Sequence, residues 1–113
     1  MTVCLFCQIV AGEIPATVVY SDDELLAFRD INPRTAVHVL VIPREHHSNI
    51  AEVAAADAAL VGHMVTAAKV IAAGEVGEAS AYRLVFNTGA GAGQTVFHAH
   101  LHLLAGADLG AMS

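Results

Sequence analysis

The chain has 113 residues, 56% hydrophobic and 14% charged, a length and balance that suit one domain (1–113) able to bury a core without disulfide staples. Five Lys and Arg against eleven Asp and Glu give a net charge of −6, with no basic run to follow a nucleic-acid backbone. The start of the chain lacks the basic and apolar regions of a leader and no run of 18 apolar residues offers a membrane span, so no membrane partner and a cytoplasmic location are expected; the sparse charge leaves apolar surface for a homo-oligomer.

Cys4 and Cys7 open the chain. At this spacing in a reducing compartment they suggest a metal half-site or a redox pair, with two buried thiols as the plainer reading. Leu5, Phe6 and Ile9-Val10 give one or two helical turns, ended by Gly12 and Pro15. Thr17 to Tyr20 and Leu25 to Phe28 read as a hairpin around the polar turn Ser21-Asp22-Asp23-Glu24, broken by Asp30-Ile31-Asn32-Pro33. Ala36 to Ile42, stopped by Pro43, is apolar on both faces and suits a central strand, with His38 its one polar intrusion. From Val53 to Ala73 the alanine-rich sequence carries Leu60, Met64, Ala67, Ala68 and Ile71 at helical spacing, so one long helix stopping at Gly74 is expected. Tyr82 to Asn87 and Val96 to Leu104 are two further strands joined by the glycine-rich Thr88 to Thr95, and 105–113 is a tail without periodicity. The order predicts an α+β domain: an antiparallel sheet of about five strands with one short and one long helix.

His98, His100 and His102 occupy alternate positions in Phe97-His98-Ala99-His100-Leu101-His102-Leu103-Leu104. A strand rises about 3.3 Å per residue and alternates its faces, which lines the imidazoles up on one face and turns Phe97, Ala99, Leu101 and Leu103 to the core. Three titratable rings side by side need hydrogen-bond partners, a metal or a ligand. A tetrahedral zinc cannot take three rings strung along one strand. With the two thiolates, a ligand from Pro43-Arg44-Glu45-His46-His47 and one strand histidine, for which His98 is best placed, a structural Cys₂His₂ site can form. His47 and His63 are left without a role. His100 and His102 are then free for nucleophilic attack on phosphorus and for donation to phosphate. The glycines of the preceding loop leave backbone N–H groups bare for phosphate oxygens, although ordinary long hairpins use glycine too.

His98-Ala99-His100-Leu101-His102-Leu103-Leu104 resembles the signature of the histidine triad family of nucleotide hydrolases and transferases, alternating histidine with apolar residues. Phe6, Glu13-Ile14-Pro15-Ala16, Ala27-Phe28, Asp30-Ile31-Asn32-Pro33, His38, Val41-Ile42-Pro43, Asn87 and Gly93-Gln94-Thr95 extend the resemblance, in its purine phosphoramidate hydrolase branch, over nearly the whole chain. The resemblance implies a homodimer whose sheets join into one. It also implies a His100 nucleophile that forms a nucleotidyl-histidine, with phosphate contacts from His102, Thr95, Asn87 and the backbone at Gly93 and Gln94. Asp30 would hold the ribose and Leu5, Phe6, Ile9, Phe28 and Ile31 the base. His38 resembles a histidine that stands behind the nucleophile, though a satisfied core histidine explains it equally well. The family's zinc-binding members match Cys4, Cys7, His46 and His98 as a structural Zn²⁺ set.

Thr95 replaces the usual serine of the phosphoramidate branch and keeps the hydroxyl, while the tail lacks the tryptophan of eukaryotic relatives, so the leaving-group side of the pocket is not defined by the resemblance. The expected reaction is hydrolysis of purine nucleoside 5'-monophosphoramidates such as AMP joined to an amine or lysine. A dinucleoside polyphosphate hydrolase and a slow nucleotide-binding or interaction protein remain alternatives. His102 argues against the transferase branch, which has glutamine there.

Overall fold

The structure is a computed structural model that describes residues 4–106 and 108–111. Residues 1–3, read above for a leader, and 107 and 112–113 of the expected tail lie outside the described residues. Five strands, β1 (Val18–Ser21), β2 (Leu25–Arg29), β3 (Val37–Pro43), β4 (Tyr82–Phe86) and β5 (Leu101–Ala105), form one sheet in the order β1-β2-β3-β5-β4. Every pairing is antiparallel, and β3 is central, as its two apolar faces predict. Asp22 closes the first hairpin: its Oδ1 accepts from the N–H groups of Glu24 and Leu25, both at 2.8 Å, a side-chain turn that explains why the polar stretch reverses the chain there.

Period-two alternation sorts the sheet into two different faces. Leu25, Ala27, Val39, Val41, Leu101 and Leu103 point to one side and form the main core with Val53, Leu60, Met64, Ala67, Ala68 and Ile71 of the helices. The other side carries Leu26, Phe28, Leu40 and Ile42, covered by Phe6 from the short helix α1 (Leu5–Val10). His38 of β3 and His102 of β5 share the parity of that second side, so it is also the face on which chemistry can occur.

The single long helix expected from Val53 to Ala73 is two helices, α2 (Ile50–Ala56) and α3 (Ala58–Val76). Asp57 separates them in an extended conformation (φ −159°, ψ 86°) and caps α3 by accepting from the Leu60 N–H at 3.3 Å. Asn49 caps α2 in the same way through the Glu52 N–H at 3.0 Å. Gly74 does not stop α3; the helix runs to Val76, where Gly77 takes φ 93° and returns its N–H to Ala73 O at 3.0 Å. By length and mean hydropathy α3 would suffice to cross a membrane, a property the residue-run reading missed, but it lies along the sheet with Glu75 paired to Arg29 at 2.6 Å.

The last strand also departs from expectation. Pairing begins at Leu101, not Val96, and Ala105, assigned to the tail, is its final residue. Residues 96–100 form an arm outside the ladder, bent at residues 96–98 and held by the Ala99 N–H to His47 O at 2.7 Å. Alternation survives in the arm for Ala99, which is buried, but Phe97 has no sheet partner to cover it and is 50% exposed, so it is not a core residue.

Candidate functional site

Four ligand atoms meet where the start of α1, the segment after β3 and the arm converge. Cys4, extended at the N-cap of α1, accepts the Cys7 N–H at 3.3 Å, and this turn brings the second thiol back beside the first. Sγ of Cys4 lies 3.4 Å from His98 Nδ1, Sγ of Cys7 lies 3.5 Å from the same nitrogen and 3.3 Å from His46 Nδ1, and the two Nδ1 atoms are 3.2 Å apart. Bond lengths to zinc of about 2.0 Å for nitrogen and 2.3 Å for sulfur give tetrahedron edges of about 3.3 Å between nitrogens and 3.5 Å between nitrogen and sulfur, so these spacings suit that ion.

The protonation pattern fits as well. His98, fully buried, gives its Nε2–H to Pro43 O at 2.7 Å, so its Nδ1 turns a bare lone pair to the cluster, the usual support for a metal-bound imidazole. Without a cation, burial and the adjacent Cys4 push the Cys7 thiol up to about 11, and a bound metal would have to displace that proton. Cys4, Cys7, His46 and His98 therefore lie close enough to hold a metal ion and are compatible with zinc. A tetrahedral ion held there would have all four of its positions filled by protein, as in closed structural sites.

The arm then turns its next histidine the other way. His100 donates Nδ1–H to the carbonyl of His98 at 2.7 Å; because a carbonyl can only accept, the proton is fixed on Nδ1 and Nε2 carries the lone pair. The ring packs edge-on against Phe6 and 4.9 Å from the His102 ring. His38 is no isolated core residue. Its Nδ1 accepts the Arg34 N–H at 3.1 Å, which puts its own proton on Nε2, aimed at His102 Nδ1 at 3.0 Å. His102 in turn holds its proton on Nε2 and can donate it onward. Asp30 Oδ2 stands 3.5 Å from His38 Nε2. Although Asp30, His38 and His102 also cluster, His38 Nε2 is already a donor, so this trio serves proton placement better than metal binding.

Burial holds the imidazoles of His38, His98, His100 and His102 below their ordinary range, His102 down to about 4 with the neighbouring His100 and His38 adding to the effect. The unfolded chain takes up these protons near pH 6.5, whereas the folded one resists to lower pH. Stability present above pH 6.5 is therefore lost progressively as pH falls towards 4. Urea unfolding at pH 7, 5.5 and 4.5 should give steadily lower midpoints, with a shallower slope in His102→Gln; a flat profile would rule out the neutral histidine core.

Two cavities flank these histidines. An apolar one of about 650 Å³ is lined by Leu5, Phe6, Ile9, Phe28 and Ile31 among others, and a polar one of about 510 Å³ by His38, His100, His102, Asn87, Gly93 and Arg34. Asp30, Asn32 and Thr95 belong to both and form the seam between them. The five residues expected to hold the base thus line one cavity, which shares Asp30 and Thr95 with the cavity of the histidines. Ile31 at its mouth is 91% exposed.

The glycine loop differs from its expected role. It contains a 3₁₀ turn at Ala90–Ala92 and bonds to itself: the N–H groups of Gly93 and Gln94, expected to face phosphate, donate to Ala90 O and Gly89 O at 3.0 and 3.1 Å. The buried Gln94 side chain lines neither cavity but ties the loop down, accepting the Gly89 N–H at 2.8 Å and donating to Ser48 O at 2.7 Å and Val96 O at 3.0 Å. Gly93 lines the polar cavity through its backbone with φ 96°, a conformation that favours glycine.

Residues given no role by the sequence also contribute. Asn32 and Arg34 extend the Asp30 turn into the polar cavity. His63 of α3 sets Nδ1 2.9 Å from Glu24 Oε1 and Nε2 2.8 Å from Asp22 Oδ2, tying the helix to the hairpin turn. The His47 carbonyl anchors the arm. Asn32 and Arg34 lie two and four residues after Asp30, a proximity that could have drawn them in, whereas nothing in the sequence links His63 to a turn about 40 residues earlier.

Comparison with known proteins matches residues 11–109 to a model described as HIT domain. An uncharacterized HIT-like protein of Synechococcus elongatus is 50% identical over 105 residues, covering 93% of this chain and 91% of its own. Purine nucleoside phosphoramidase of Escherichia coli is 42% identical over 108 residues, covering 96% of this chain and 91% of its own. The crystal structure of a HIT family hydrolase from Legionella pneumophila superposes with a TM-score of 0.91 at 47% identity, over 96% of this chain and 97% of that one.

Proposed function

This chain belongs to the HIT domain family, and from that premise we propose that it hydrolyses purine nucleoside 5'-monophosphoramidates through a nucleotide covalently held on His100. The observation that carries the reading is the bare Nε2 of His100, held by the Nδ1–H bond to His98 O beside a seam where an apolar and a polar cavity meet. The base would enter between Leu5, Phe6, Ile9, Phe28 and Ile31, Asp30 would accept from the ribose hydroxyls, and the side chains of Thr95 and Asn87 would hold the phosphate, with Gly93 beside it but its N–H already given to Ala90 O.

In the first step the Nε2–P bond forms as the P–N bond breaks; the departing nitrogen takes a proton from solvent, while the His102 Nε2–H donates a hydrogen bond to a phosphate oxygen. In the second, water attacks phosphorus, the Nε2–P bond breaks, and the proton lost by the water returns to solvent. One water is consumed overall. His38 keeps His102 in the donating tautomer. A zinc ion on Cys4, Cys7, His46 and His98 would cross-link three segments and take no part in the steps.

The homodimer belongs to the same reading. β4 bonds to β5 on one side only, leaving an edge beside the exposed Tyr82, and α3 exposes Val65 and Val70 next to it. Pairing of two β4 edges would continue the sheet; sedimentation should give a mass of two chains.

The deciding experiment compares AMP joined to a simple amine with diadenosine tetraphosphate. Faster turnover of the amine, with one nucleotidyl group added to quenched protein by mass spectrometry, is expected. Faster turnover of the dinucleotide would favour the polyphosphate reaction, and binding without turnover or adduct would leave a nucleotide-binding protein.

A further inference from the structure

The polar cavity contains a cation that the chemistry above does not use. Three of the four arginines have their guanidinium groups occupied: Arg29 by Glu75, Arg44 by Ser21 Oγ and the Asp22 carbonyl, and Arg83 by the Gly110 carbonyl. Arg34 is different. Its backbone N–H is bonded to His38, but among the described residues its guanidinium has no hydrogen-bond or ion-pair partner, and it lines the polar cavity without reaching the apolar one. In a chain of net charge −6 an unpaired arginine beside three histidines needs an explanation.

The layout of the two cavities supplies one. With the nucleoside in the apolar cavity, phosphorus sits at the Asp30–Thr95 seam, and the group displaced from it must extend into the polar cavity. There it meets the apolar side chains of Val85 and Leu104, neighbours of the histidines in the β4–β5 ladder, and then Arg34. Leu104 is paired with His38, whose ring is fixed by the Arg34 amide, so Arg34 and Leu104 belong to the same end of the cavity. The acidic residue in the lining, Asp30, belongs to the seam and faces His38, its Oδ2 3.5 Å from His38 Nε2, and makes no ion pair with Arg34 among the described residues. A short carbon stem ending in an anion matches this sequence of surfaces; an amine ending in a second positive charge, such as lysine, does not.

We infer that Arg34 selects leaving groups that carry a negative charge: an amine bearing a carboxylate, or the phosphate chain of a dinucleotide. The inference rests on the hydrolase reading above and specifies its substrate class. The contact is at an exposed rim, so its effect is modest and sensitive to salt.

The test uses AMP joined through nitrogen to β-alanine and to β-alanine amide, which differ by one charge. Their ratio of kcat/KM within each protein cancels any general loss of activity. The unmodified chain should favour the carboxylate roughly threefold to fivefold at low ionic strength, less at high. Arg34→Gln should bring the ratio to about one, Arg34→Glu should invert it and Arg34→Lys should keep it. Each substitution retains the backbone N–H to His38. If the ratio is unaffected but Arg34→Gln slows diadenosine tetraphosphate relative to the amide, the anion is a phosphate and not a carboxylate. If neither changes, Arg34 has no such role.

Calorimetry on His100→Ala, which cannot turn over, measures the same preference as a ratio of affinities. A preference there, with no hydrolysis by the unmodified chain, would overturn the hydrolase reading and keep the role of Arg34; hydrolysis without any preference would do the reverse.

Discussion

Replacing His100 with alanine should reduce kcat by about a thousandfold or more while leaving nucleotide affinity within a few-fold of the original. The two effects separate because His100 lines the polar cavity, while the side chains that would hold the base belong to the apolar cavity next to it. Single-turnover kinetics with mass spectrometry of quenched protein measure the first effect, and equilibrium binding of AMP the second. A His100→Ala chain that still turned over and still carried a nucleotidyl adduct would end the assignment of His100 as nucleophile. His102→Gln should be milder, because His100 keeps its tautomer through the bond to the His98 carbonyl and loses only the neighbouring donor.

The second large effect is expected from the metal cluster. Cys7→Ser, or removal of the ion by a chelator, should lower stability by about 3 kcal/mol or more, a fall in Tm of about 10 °C or more for a domain of this size. Elemental analysis should find one zinc per chain in the unmodified protein and none in the variant. The loss should also reach activity. His98 supplies one candidate ligand from its ring and, from its backbone, the carbonyl that orients His100, so an arm no longer anchored by the ion misaligns the nucleophile. A metal-free protein of unchanged Tm would remove the structural role of the cluster.

These expectations draw on features that were unevenly legible in the sequence. The hairpin around Asp22, the central β3 and the cysteine pair could be read directly, because β-branched runs, a side-chain turn and cysteine spacing each have a local physical cause, whereas choosing His46 from the segment after β3 took the family resemblance. The break at Asp57 was obscured by alanines, which fit a helix in any phase; Asn49 and Asp57, both good caps, were the signal available. Phe97 followed the alternation of its neighbours, but alternation describes side-chain direction and cannot tell where a ladder of hydrogen bonds begins. Gly74 and Gly77 look alike on paper, and only the path after α3 demands the positive φ of Gly77. The glycine loop misled for a related reason: freedom of the backbone was visible, but the side chain of Gln94 that uses it to close the loop on itself was not. Arg34 had no motif to mark it, since its significance lies in lacking a partner.

The division of the sheet into a helix-covered face and a histidine face also bears on how errors in folding would be registered. In β3 Val39 and Val41 enter the main core, while His38 and Leu40 face the other way; β5 does the same with Leu101 and Leu103 against His102. A slip of one residue between these strands would exchange the two sets completely. A molecule slipped in this way would lose its core and its chemistry together. In metal-loaded protein, the proposed activity per mole of soluble chain would then report the share of molecules with these strands in register.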